Sequence, residues 1–103
     1  MANRLEHLLT VAAEECAEVA QRLSKALRFG LDEVQPGQML SNAERIAGEV
    51  SDLLATLQMV EAEGGVVLLP PLVRDPDTVA AREEKMRKVE RFLLLSRDCG
   101  TLT

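Results

Sequence analysis

The sequence predicts an all-α protein, an antiparallel helical bundle, on three observations. Apolar side chains recur at helical period over long stretches. The composition is rich in Ala, Leu, Glu and Arg and holds only two aromatics, Phe29 and Phe92; unbranched side chains lose little rotamer freedom in a helix. Capping signals open the second and third of those stretches. At 103 residues the chain has the size of one domain, residues 1–103. A chain this short buries a modest share of its surface, so a partner subunit is expected to complete the core.

The first helix is expected over residues 3–29, with an apolar stripe of Leu5, Leu8, Leu9, Ala12, Cys16, Val19, Leu23, Ala26 and Leu27. Gly30 ends it, where a left-handed cap costs glycine least. LDEVQPGQML then carries a Pro36-Gly37 turn and reads as a connection. Ser41-Asn42-Ala43-Glu44 is a capping box for the second helix. Its stripe is Ala43, Ile46, Val50, Leu53, Leu54, Leu57 and Val60, ending before Gly64-Gly65. The following GVVLLPPLVRD is apolar and broken by Pro70-Pro71. An exposed apolar loop is a liability, so Val66–Val73 is expected to pack on the bundle or in a subunit interface. Asp75-Pro76 supplies a cap and a first-turn proline for a third helix running to about Arg97. Val79, Met86, Val89 and Leu93 should face inward there.

A formal net charge of −5 argues against a nucleic-acid surface working through bulk charge. No run approaches the roughly 20 apolar residues that cross a bilayer. MANRLEHLL has no apolar core of a signal peptide, and the expectation is a cytoplasmic protein without nucleic-acid or membrane partners. Cys16 and Cys99 have no metal-site spacing, and Cys16 is expected as a small core residue. His7 is the single histidine and carries no catalytic argument.

Two carboxylates disturb the pattern. On the first helix Glu15 falls at the edge of the apolar stripe and Glu18 just beyond it, while Glu14 points away. Residues three apart on a helix have Cβ atoms about 5–6 Å apart, so Glu15 and Glu18 can converge on one ion. Glu49 and Asp52 repeat the device on the second helix. Glu18 to Gly30 is about 18 Å of helix and Ser41 to Glu49 about 12 Å, a difference the connection can absorb. Antiparallel packing would then bring the four acids face to face. Two carboxylates about 5 Å apart repel by about 3 kcal/mol at an effective dielectric near 20. Either such acids splay into water or a divalent cation holds them. All-oxygen ligation suits Mg²⁺ or Mn²⁺ rather than zinc.

Glu14-Glu15-x-x-Glu18 followed by Glu49-x-x-Asp52 resembles the signature of the all-α nucleoside triphosphate pyrophosphatases. That superfamily includes MazG, the dimeric dUTPases, the dCTP pyrophosphatases and phosphoribosyl-ATP pyrophosphatase. EECAEVAQRLSKALRFG and NAERIAGEVSDLLATLQMV look most like the short MazG-like proteins, over most of residues 5–100. The connection between the motifs is at the long end for the family.

The resemblance implies that Glu15, Glu18, Glu49 and Asp52 ligate Mg²⁺ and carry catalysis, with Glu14 in a supporting role behind them. It implies cleavage of an NTP or dNTP to the monophosphate and pyrophosphate, in nucleotide-pool house-cleaning, by a homodimer or homotetramer. Phosphates need cations, and the candidates are Lys25 and Lys85, then Arg22 and Lys88. The competing expectation is a non-catalytic helical interaction or nucleotide-sensing module. A di-iron bundle would need Glu-x-x-His pairs, which this sequence does not contain.

Overall fold

A computed structural model describes residues 3–69 and 76–100. The protein is all-α: three helices, α1 (Arg4–Phe29), α2 (Asn42–Gly64) and α3 (Pro76–Asp98), with no strand among the described residues. Two compact units divide the chain, Met1–Leu69 and Pro70–Thr103. Among the described residues no helix is long and apolar enough to cross a membrane.

In the first unit α1 and α2 form an antiparallel hairpin. Arg4 pairs with Glu63 at 3.0 Å, joining the start of α1 to the end of α2. A β-carbon added to Gly64 would lie 3.5 Å from Leu5 Cδ1. At the other end the Asn42 side chain reaches the Gly30 carbonyl. α1 opens on Asn3, whose Oδ1 accepts from Glu6 N at 2.8 Å, a cap the sequence reading did not identify.

The expected capping box of α2 is present in full. Ser41 Oγ accepts from Glu44 N, and Ser41 N donates to Glu44 Oε1, both at 3.1 Å. Gly65 closes the helix in the left-handed conformation.

Gly30 also departs from helical geometry, but not as a left-handed cap. Its φ of 94° and ψ of 154° lie in a region essentially reserved for glycine. That twist turns its carbonyl to Asn42, only 2% exposed, whose Nδ2 donates to it at 2.8 Å. The connection is further held by Asn42 N to Glu33 O and Ala43 N to Leu31 O. Within it Gln35, Pro36, Gly37 and Gln38 form the expected turn. Gln38 N bonds to Gln35 O, and the positive φ of Gly37 follows a proline that presets its own.

The inward face of α1 differs from the expected stripe. Leu8 and Ala12 are buried, and Leu5, Glu15, Val19, Arg22 and Ala26 are half-buried, a seam of steps of three and four. Leu9, Cys16, Leu23 and Leu27 are exposed, Leu27 at 87%. The correction for Cys16 and its neighbours is a rotation of the helix by part of a turn. The first helix has apolar residues around more than half its circumference, and α2 covers one sector only. Across the seam Thr56 and Val60 are buried and Ile46, Leu53, Leu54 and Leu57 half-buried, while Ala43 and Val50 stay exposed.

After α2, Val66, Val67 and Leu68 are exposed, against the expectation that they pack away. The backbone there is fastened instead, since Glu61 Oε2 accepts from Leu68 N at 2.7 Å and Leu69 N at 3.0 Å. The rest of that apolar loop, residues 70–73, and the Asp75 cap lie outside the described residues.

In the second unit α3 begins at Pro76 as expected. Val79 is half-buried, but Met86, Val89 and Leu93 are exposed rather than inward. Leu93, Leu94 and Leu95 are consecutive, so at about 100° per residue they spread around the helix and define no single face. Glu84 holds Arg87 at 2.8 Å and Arg91 at 3.6 Å along the polar surface.

Candidate functional site

The hairpin turns its carboxylates toward one another midway along its length. Carboxylate oxygens of Glu15, Glu49 and Asp52 all lie within 4.8 Å of each other. Glu15 and Glu49 are half-buried in the seam, and Asp52 is exposed at its edge. The position of this cluster follows from the connection. Asn42 is tied to Gly30, and each helix then runs back over the other. Arg22, eight residues before Gly30, comes level with Glu49, seven after Asn42. One to two turns further on, Glu15 meets Asp52.

Burial sets the electrostatics. The Glu15 carboxyl is held above the usual glutamate range, first by loss of solvent, then by the charges of Asp52 and Glu49. A hydrogen bond to the Glu49 carboxyl and the charge of Glu18 add to it. Even so, Glu15 Oε2 is buried without a hydrogen-bond partner. A buried acid oxygen without a donor is expensive, and a bound cation would satisfy it.

The distances suit a small divalent ion. Magnesium–oxygen bonds of about 2.0–2.1 Å put two ligand oxygens about 3 Å apart when adjacent and about 4 Å when opposite. Oxygens already within 4.8 Å need only a small closure. Three carboxylates with no nitrogen or sulfur donor match Mg²⁺ or Mn²⁺ in ligand type. The residues present fit the metal the sequence suggested.

The other candidates fall as follows. Glu18 is exposed and is not among the three converging acids, though its charge is felt by Glu15. Glu14 is exposed. Lys25 is half-buried on α1. On α3 Lys85 is exposed, and Lys88 lines a concavity of about 300 Å³ with Arg91, Phe92 and Leu95.

Arg22 differs most from the sequence reading. The sequence offered it only as a candidate cation for phosphates. It crosses the seam, with Nε 3.9 Å from Glu49 Oε1. Both side chains are largely buried, 18% and 22% exposed. The seven-residue spacing from Glu15 to Arg22, two turns on one face, was the signal in the sequence. Thr56 was also missed; its Oγ1 donates to Asp52 O at 2.9 Å, fixing the turn that presents Asp52. No protein-family model, curated protein or solved structure matches this chain.

Proposed function

We propose that the chain is a Mg²⁺-dependent nucleoside triphosphate pyrophosphohydrolase, converting an NTP or dNTP to the monophosphate and pyrophosphate in the cytoplasmic nucleotide pool. The observation that carries this reading is the meeting of Glu15, from one helix, with Glu49 and Asp52, from the next, around an acid oxygen that lacks a partner. Resemblance of the two acidic motifs to the MazG-like pyrophosphatases supplies the reaction class.

Mg²⁺, or Mn²⁺ in its place, would be held by Glu15, Glu49 and Asp52, where it would lower the pKa of water and polarise phosphoryl oxygens. Glu49 and Asp52 come from successive turns of α2, so their spacing is fixed by the helix. Asp52, exposed at the rim, marks the side from which a phosphate chain approaches. Glu18 extends the acidic set along α1, and Glu14 supports it from the exposed side. Arg22 and Lys25, on the same helix as Glu15, are the cations proposed for the triphosphate in this unit. Exposed Leu9, Leu23, Leu27 and Met59 support assembly as a homodimer or homotetramer.

The same exposed apolar residues favour the second reading, a non-catalytic interaction module. A screen of NTPs and dNTPs for pyrophosphate release separates the two. The enzyme reading expects Mg²⁺-dependent release from at least one nucleotide, with Glu49→Gln and Asp52→Asn each losing at least about 100-fold in kcat/KM, about 2.7 kcal/mol of transition-state stabilisation. Release that persists in both variants would remove the site, and none from any nucleotide would remove the enzyme.

A further inference from the structure

The carboxylate cluster already has a cation beside it. Arg22 is the one basic side chain that forms an ion pair with these acids among the described residues, through Glu49. The contact is an unusual one. At 3.9 Å it is beyond hydrogen-bond reach, and Arg22 Nε is buried with no acceptor at all. A guanidinium built to stay would dock on a carboxylate with two parallel N–H···O bonds near 2.8 Å. This one is close enough to neutralise and too loose to be locked.

We infer that Arg22 is an exchangeable counter-ion: it stands in for the metal in the metal-free protein and is handed to the nucleotide's phosphates when Mg²⁺ arrives. This rests on the proposed function and assigns the order in which that site fills. Arg22 and Mg²⁺ compete for the same Glu49 charge, since a divalent cation at the carboxylates repels a guanidinium a few ångströms away. Displaced from Glu49, the guanidinium has the planar fork that matches phosphate oxygens. Metal binding alone must expel a buried cation into water, whereas metal arriving with a triphosphate gives that cation a new partner. Arg22 therefore makes the metal site weak when empty of nucleotide and strong when a nucleotide is present, a positive coupling between two ligands.

The test is Mg²⁺ titration of the nucleotide-free protein by calorimetry, in wild type and in Arg22→Met. Removing the competitor should tighten Mg²⁺ binding about tenfold, within the range usual for coupled ligands. Arg22→Lys, which keeps the charge, should stay within about threefold of wild type on the same scale. Equal or weaker binding by a folded Arg22→Met overturns the inference and leaves the proposed function standing. Failure of both wild type and Arg22→Met to bind Mg²⁺ overturns the function and this inference together. A second measurement uses the wild-type chain alone. The Arg22 Nε–H resonance, identified by its loss in Arg22→Lys, should be slow to exchange with solvent without metal. It should shift and exchange faster at saturating Mg²⁺, and a resonance unchanged by the metal overturns the inference even if Arg22→Met does not fold.

Discussion

Asn42 Nδ2 donates a 2.8 Å hydrogen bond to the Gly30 carbonyl, and this contact between the first residue of α2 and the cap of α1 fixes the register of the hairpin. Asn42 also lies 3.4 Å from Glu33 Oε1 and gives its backbone N–H to Glu33 O, so one buried side chain ties both ends of a connection of a dozen residues. A shift of one residue there would rotate Glu49 away from Glu15.

Asn42→Ala should therefore destabilise the first unit by about 1–3 kcal/mol, the cost of leaving a buried polar group unpaired. Urea unfolding at neutral pH measures it. A loss below a few tenths of a kcal/mol would mean that the connection is held by its backbone bonds alone.

Gly30 and Gly48 should respond to alanine in opposite directions. Gly48 lies exposed within α2 with nothing near its missing β-carbon, so Gly48→Ala should stabilise by about 0.5–1 kcal/mol. Gly30 has equally free space but a φ of 94°, so Gly30→Ala should cost about 1–3 kcal/mol in backbone strain. Two melting curves decide it, and changes of the same sign would contradict the assigned backbone.

Glu15→Gln should raise the melting temperature of the metal-free protein at pH 7. The Glu15 carboxyl is raised in the folded state by burial and by its acidic neighbours. Its contribution to stability is thus fully present below the unfolded value of about 4.3 and is lost as pH rises through the raised folded value. The advantage of the variant should shrink on acidification toward pH 4. With saturating Mg²⁺ the order should reverse, because the wild-type carboxylate then has its ion. A variant less stable than wild type without metal at pH 7 would argue that Glu15 sits comfortably as it is.

Glu61 works in the other sense. Its carboxylate is held below the usual range by the N–H groups of Leu69 and Leu68. Its contribution is present above about pH 4.3 and disappears as pH falls through the lowered folded value. Glu61→Gln should melt below wild type at pH 7, with the gap closing toward pH 3. Hydrogen exchange at Leu68 and Leu69 should quicken in the variant, and exchange rates equal to wild type would show that Glu61 does not fasten this segment.

The sequence alone was enough for the three helices and for the capping box that opens α2. Ser41 and Glu44 announce the capping box because that device is local, confined to four consecutive residues. Helical period likewise places Glu15 near Glu18 and Glu49 near Asp52, since spacing along a helix needs no tertiary information. Which sector of each helix faces inward was a different matter. α1 carries one broad apolar stripe, and only the packing of α2 on Leu8 and Ala12 selects which edge of it is buried, leaving Leu23 and Leu27 outside and drawing Glu15 and Arg22 into the seam. The pairing of Arg22 with Glu49 was decided in the same way. It depends on a register set by Asn42 and Gly30 across the connection, and a contact between distant residues is not encoded in any local repeat.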